Sequence, residues 1–452
     1  MGLELADAAA AAVEAAIEAG AGDAEAYAEQ GSGREIRVHG GAVESLTEAT
    51  ERGIGVRTWI DGRCGYAYGT DLGAEALEQL ALAATQAAQI ADPDEFAAAP
   101  RPAGRPAEIA GLVDPAFDEP TTPQRIDLAL EVEAAALAHD ERVRIVEQVV
   151  YRDAASQVAI HSSSGIAGSY AATSCYAYAQ ALAGEPEEQQ SGLGFDVGRS
   201  PQSLDPAAIG REAADRAVDQ LGAVKPESRS CPVILDPTVA ASFVSYIGGA
   251  LGADAVQRGR SPLAGRLEDE VASAAFELID DGLDPAGFGS SPFDDEGTAR
   301  RRTSLISAGR LRAYLHDSYT ARRGDAGVTG NASRSGYRSP PSVAPSNLIV
   351  GSGDAGLEGL LAQAEGGVYV TDVAGLHSGV NPISGVFSVG ATGRRVAGGE
   401  LGEPLREFTI ASDLVGMLTR IAATGSEARW VPFGASVRTP ALLVSEMTVS
   451  GS

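Results

Sequence analysis

Cysteine is scarce in this chain: its 452 residues hold three, Cys64, Cys175 and Cys231. The number is odd, the spacing is wide and no C-x-x-C occurs, which excludes a disulfide framework and a thiolate zinc cluster. Buried free thiols in a reducing compartment are the expectation. Lysine is scarcer still, with Lys225 alone, and the formal net charge is −28. Nucleic acids and anionic membranes are held by clustered Lys and Arg. The nearest approach to a cluster, Arg300-Arg301-Arg302, reads as one end of a solvated strand, so neither partner is expected. Histidine is limited to His39, His139, His161, His316 and His377; no two stand at i, i+4, so no local ligand pair exists. Long apolar runs are missing too. Met1 to Glu29 is alanine-rich but interrupted by Glu4, Asp7, Glu14 and Glu18. With no basic leader and no apolar run of roughly 18 residues it reads as neither signal peptide nor membrane span, and a cytoplasmic location is expected. No G-x-S-x-G elbow occurs, and Ser162-Ser163-Ser164 has no contextual partner.

What is present suits a soluble globular chain of more than one domain: 44% of residues are hydrophobic and 21% charged. Leu5 to Ala19 reads as an amphipathic helix ending at Gly20. Strands follow at Ala24 to Glu29, Glu35 to Val38, Val43 to Ala49, Gly53 to Trp59 and Cys64 to Tyr68, with turns at Gly40-Gly41 and Asp61-Gly62. This is an antiparallel meander. Asp71 is placed to cap a helix reaching Ile90. Asp92 to Thr122 carries six prolines and reads as a linker. The pattern then recurs: a helix from Pro123 to His139, strands Arg142 to Tyr151, Gln157 to His161, Ala171 to Ala183 and Gly192 to Val197, and a helix from Asp205 to Leu221. Both passes read as one α+β domain, residues 1–225, with helices on one face of a mostly antiparallel sheet.

From residue 226 to 452 the texture changes to glycine-rich segments and short strands, read as a mainly-β, barrel-like or sandwich domain with a few helices. Arg301 to Ile306 and Arg310 to His316 form a hairpin through Ser307-Ala308-Gly309. Gly324 to Pro345 is a long polar loop. Further strands are expected at Asn347 to Val350, Gly367 to Val373, Val386 to Val389, Leu405 to Ile410 and Ala441 to Val444, with a helix from Asp413 to Ala423. One helix stands out, Pro237 to Asp254, directly after the strand Cys231 to Asp236. Val239, Phe243, Ile247 and Leu251 recur every four residues, Asp236 suits the N-cap and Pro237 the first turn. No His, Asp, Glu or Cys lies between Pro237 and Gly252.

Candidate chemistry is thin. Gly351-Ser-Gly353-Asp-Ala-Gly356 fits G-x-G-x-x-G after a strand and before a helix, with Asp372 further on, and would mark a nucleotide enzyme. Its hairpin-rich flanks are unlike successive βαβ units, and in a chain with 55 glycines it reads as a glycine-rich strand-to-helix turn. Asp280-Asp281 and Asp294-Asp295-Glu296 have the composition of a cation site or an acid and base pair, but next to Gly282 and Gly297 they read as solvated turns. His316, beside Asp317 at the end of a hairpin strand, and His377, in a turn-rich loop, either line a cleft or cap a strand.

Several segments taken in order are familiar: Val43-Glu-Ser-Leu, Arg52-Gly-Ile-Gly-Val-Arg57, Asp61-Gly-Arg-Cys-Gly65, Asp280-Asp-Gly282, Asp294-Asp-Glu-Gly297, Tyr314 to Arg322, Thr329-Gly-Asn331, Ser378-Gly-Val-Asn-Pro-Ile-Ser-Gly385 and Phe387-Ser-Val-Gly390. Together they resemble the TldD/PmbA family of bacterial metallopeptidases over nearly the full chain. In the TldD branch the helix after the first C-terminal strand carries H-E-x-x-x-H, and a later Cys completes a zinc site. The matching positions here are Ser245-Tyr-Ile-Gly-Gly-Ala250, so Ser245 and Ala250 stand where ligands would be and Tyr246 where the base would be. No cysteine follows Cys231. The resemblance is therefore to the PmbA, or TldE, branch. It implies a non-catalytic, metal-free subunit that pairs with a zinc-bearing TldD-type subunit and handles unfolded or precursor peptides, with cleavage on the partner's zinc. His316, Tyr319, His377 and Asn381 are the residues of the matched motifs placed to touch peptide. A stand-alone peptide-binding scaffold or homodimer is the alternative.

Overall fold

Strands that alternate small and charged residues bury one face and offer the other, and the N-terminal half of this chain does so at length. In the computed structural model, which describes residues 4–451, β1 (Asp23–His39), β2 (Ala42–Ile60), β3 (Arg63–Gly69), β4 (Val143–Ser162), β5 (Ala167–Ala183) and β6 (Gln190–Gly198) form one antiparallel sheet. Its order is β3-β2-β1-β4-β5-β6. Residues 1–3 and 452, the outermost positions of the two expected domains, lie outside the described residues. The breaks expected within β1, β2 and β4 do not occur. Gly31 and Gly33 stay in register between Glu51 and Ala49 on one side and Ser156 and Ala154 on the other, and two flanking ladders override the low strand propensity of glycine.

Four helices cover one face of this sheet, α1 (Leu5–Glu18), α2 (Ala74–Ile90), α3 (Thr122–His139) and α4 (Pro206–Val218). Ala24, Ala26 and Ala28 of β1 pack with α1 and α2, and Ile36 and Val38 with α3 and α4. All five have even numbers, and a strand repeats every two residues, so the helices share one side. α2 is capped by Gly73, not Asp71; the Asp71 carboxylate accepts the Gly73 N–H at 2.8 Å, an Asx turn two residues upstream of the cap. The proline-rich stretch between α2 and α3 contains no helix or strand, yet it is laid down as a strap. Ala99, Leu112 and Phe117 are buried, and its carbonyls accept N–H groups from Thr173 (to Leu112, 2.8 Å) and Ala299 (to Ala103, 3.1 Å).

The C-terminal half is built on a barrel. β7 (Arg229–Leu235) lies between Val368–Ala374, which runs parallel to it, and Leu442–Ser450, which runs antiparallel. Val386–Ala397 and Glu400–Asp413 continue the sheet, and pairing of Thr409 to Ala411 with Thr448 to Ser450 closes it. A second sheet contains Leu278–Asp281, Arg302–Ser307, Arg310–Leu311, Asn347–Val350, Arg429–Val431 and Ser436–Thr439. Between the two lies α5 (Pro237–Ala250), whose apolar face joins both in one core. The hairpin turn at Ala308 and Gly309 has both residues at positive φ, as a two-residue type I′ turn requires. Its second strand ends at Leu311 because Leu315 turns away to bond Leu251 and Ala253. The helix expected from Asp413 to Ala423 is shorter, Leu414–Thr419, and Ile421–Thr424 instead pairs with Leu442–Ser450.

The face of the N-terminal sheet opposite the helices meets the C-terminal half. Arg57 on β2 binds Glu25 on β1 through Nε and Nη2 (3.1 and 2.7 Å) and reaches Glu296 at 3.0 Å. The Arg334 guanidinium, fully buried, also pairs with Glu25. Tyr337, 1% exposed, lies against Gly53 and Gly55. A Cβ on Gly53 would stand 2.3 Å from the Tyr337 ring, so glycine there is a requirement of close approach.

Candidate functional site

α5 is held by its first residues. The Asp236 carboxylate accepts the Thr238 N–H (2.9 Å), the Tyr369 hydroxyl (2.7 Å) and the Arg216 guanidinium (3.2 Å), and Pro237 fills the first turn, where an N–H is not needed. Val239, Phe243, Val244 and Ile247 are buried, with the Phe243 and Phe387 rings 4.8 Å apart. Gly248 allows the helix to sit on Leu348, whose Cδ1 would be 2.4 Å from a Cβ at that position. The opposite stripe, Ser242, Ser245, Tyr246 and Gly249, is half-buried or exposed. Both serine hydroxyls donate back along the helix, Ser242 to Thr238 O (3.1 Å) and Ser245 to Ala241 O (2.9 Å).

Ser245, Tyr246 and Ala250, separated in sequence from everything but their own helix, line a cavity of about 310 Å³ completed by Gly249, Ala255, Arg260, Pro382 and Leu414. Pro382 arrives there from the turn in which the Asn381 carboxamide accepts the Ile383 and Ser384 N–H groups (2.9 and 3.1 Å). Asn381 thus shapes the wall of this cavity. His377 lies on the same loop, exposed, in the short helix Leu376–Gly379. His316 and Tyr319 are elsewhere. His316 is 8% exposed, its Nδ1 has no partner, and burial lowers its pKa. The Tyr319 hydroxyl donates to Asp94 of the strap at 2.8 Å. Tyr319 lines a second cavity of about 400 Å³ at the junction of the two halves, with Arg57, Glu296, Asp317 and Cys64. Cys64 is exposed, contrary to the expectation of a buried thiol, and opens on that cavity; Cys175 and Cys231 are buried.

The acidic runs are not solvated. Asp280, Asp294 and Glu296 are each 1% exposed because N–H and amide donors from distant segments converge on them. Asp280 accepts Asn331 Nδ2 (2.7 Å) and the Ser346 N–H (2.7 Å). Asp294 accepts the N–H groups of Glu296, Thr298 and Ala332. Burial alone would raise the Glu296 pKa, but Arg57 and Ser318 hold it below the usual carboxylate value. The G-x-G-x-x-G stretch also has a packing cause: a Cβ on Gly353 would lie 2.3 Å from Thr424 O. The strand before it pairs with Leu278–Asp281 and Ser436–Thr439, not in a βαβ unit.

Zinc takes imidazole nitrogen, thiolate sulfur or carboxylate oxygen. The α5 cavity offers a hydroxyl already bonded to Ala241 O, a phenol and a methyl group, and this donor set does not fit the metal. Among the described residues no group of three His, Cys, Asp or Glu side chains is placed to hold an ion, and no helix is long and apolar enough to cross a membrane. Arg260, Ala255 and Leu414 carry no functional signal in the sequence, whereas Gly249 lies within Ser245–Ala250 and Pro382 within a second matched motif.

Known proteins match the whole chain. Residues 24–88, 115–221 and 228–451 match, in order, domain 1, the central domain and the C-terminal domain of the PmbA/TldA metallopeptidases. The metalloprotease PmbA homolog of Haemophilus influenzae is 27% identical over 99% of this chain and 96% of its own length. A Thermotoga maritima protein described as a candidate modulator of DNA gyrase superposes with a TM-score of 0.90 at 25% identity, covering 98% of this chain and 99% of that one. TldE from Thermococcus kodakarensis shares the fold at the same TM-score and 21% identity, over 98% of this chain and all of that one. Three domains matched in order, and a relative aligned from end to end, place the chain in the PmbA/TldD metallopeptidase family.

Proposed function

We propose that this chain is the metal-free, peptide-handling subunit of a two-subunit metallopeptidase, with hydrolysis on the zinc of a TldD-type partner that carries H-E-x-x-x-H. The observation that carries this reading is the chemistry of the α5 cavity. At the positions matched to two imidazole ligands and a general base, Ser245, Ala250 and Tyr246 face an open cavity, and none supplies a zinc ligand or a carboxylate base. Family membership supports the rest: a chain that keeps the metallopeptidase scaffold while lacking the metal chemistry is suited to bind and present peptide. Its location would then be the cytoplasm, with the partner.

Metal analysis of the purified chain, coupled to a peptidase assay on an unfolded polypeptide, tests this. The chain alone is expected to hold substoichiometric zinc and to cleave nothing, and chelator-sensitive cleavage is expected once an H-E-x-x-x-H family partner is added. One tightly held metal per chain, with proteolysis by the chain alone, would overturn it.

A further inference from the structure

The α5 cavity has a composition of its own. Tyr246, Gly249, Ala250, Ala255, Pro382 and Leu414 give it an apolar wall, and Arg260 is the single charged residue lining it. Arg260 is exposed, and its guanidinium has no ion-pair partner among the described residues. Ile383 and Val386, one and four residues after Pro382, are each 55% exposed. At about 310 Å³ the cavity lies at the bottom of the roughly 300–1,000 Å³ range of small-molecule sites. That volume is enough to take one bulky side chain.

A cation beside an apolar pocket selects for a ligand that carries both features on neighbouring atoms. Guanidinium binds carboxylate in a two-pronged, charge-assisted way. In a chain of net charge −28 the overall field repels anions, so a carboxylate is held only where a dedicated arginine meets it. An internal apolar residue of a peptide brings a side chain but no charge on its own Cα. A C-terminal residue brings a side chain and a carboxylate on the same Cα. We infer that the α5 cavity receives the C-terminal residue of a peptide, its large apolar side chain against Tyr246, Ala250 and Leu414 and its carboxylate on Arg260. The inference rests on the reading that this chain handles peptides, and it names the class of peptide end the chain selects.

Anisotropy of N-terminally labelled hexapeptides, titrated with the full isolated chain, tests it. A peptide ending in leucine or phenylalanine as the free acid is expected to bind at least about ten-fold tighter than its C-terminal amide, a difference of about 1.4 kcal/mol. Arg260→Gln is expected to erase the acid–amide difference. Gly249→Trp is expected to abolish binding of both while leaving the thermal midpoint in place, because a Cβ at that position meets no heavy atom within 4 Å. Equal binding of acid and amide, wild-type binding by Gly249→Trp, or no binding of any peptide overturns the inference. The subunit reading is decided separately by reconstitution with the zinc partner, so one can fail while the other stands.

Discussion

Asp294 shows what residue-level chemistry does in this fold. It is 1% exposed, and burial pushes its carboxyl up to about 7, with Arg300 opposing and Glu296 adding to the rise. An aspartate in the unfolded chain titrates near about 3.9. Between those values the folded chain keeps a proton that the unfolded chain has released, so stability falls as pH rises. The slope is about 1.4 kcal/mol per pH unit at its steepest and the total at most about 4 kcal/mol. Denaturant midpoints of the wild type are expected to fall from pH 5 to pH 8, and those of Asp294→Asn to fall less; equal falls would remove Asp294 as the source. Glu296 works the other way. Arg57 holds it ionised, and its contribution is lost only as the pH drops through its lowered folded value. The turn at Gly297, at φ +78, was legible in the sequence because it is local. The burial of the carboxylates was not, because their partners Ala332 and Arg57 lie 38 and 239 residues away.

At the scale of the element, α5 divides the same way. Its start is encoded within three residues, Asp236, Pro237 and Thr238, and its apolar face in a four-residue period; both were readable without a structure. The different roles of Gly248 and Gly249 were not readable, since they depend on Leu348 from another strand and on the open cavity. They give opposite expectations for one substitution. Gly248→Ala forces a methyl against Leu348 Cδ1 and is expected to cost about 1–3 kcal/mol. Gly249→Ala meets nothing within 4 Å and is expected to be neutral or to stabilise by up to about 1 kcal/mol through helix propensity. Urea denaturation of the two variants beside the wild type checks this, and destabilisation of similar size in both would mean that the helix is not seated as described. The long strands β1 and β4 are the converse case. Local sequence argued for breaks, and pairing on both sides prevailed.

For the molecule as a whole, the motifs that carry the family resemblance converge mostly on the junction between the halves and less on a catalytic centre. Gly53 receives Tyr337, and Arg57 joins Glu25 to Glu296. Glu25 is the centre of this network, fully buried and bonded to two guanidinium groups, Arg57 from the N-terminal half and Arg334 from the C-terminal half. Charges placed there are costly to desolvate, and removing one partner leaves others uncompensated, at about 3–5 kcal/mol. The pairing therefore couples the folding of the two halves, and calorimetry of the wild type is expected to show one transition. Glu25→Ala is expected to lose stability on that scale and still to melt in one transition at a lower midpoint, since Phe195 of the N-terminal half lies in the C-terminal core and Ile160 and Ile166 pack with Phe293. A variant that melts at the wild-type midpoint would show instead that the apolar contacts of Phe195, Phe293 and Tyr337 suffice to join the halves, and that the buried charges serve only to set their register.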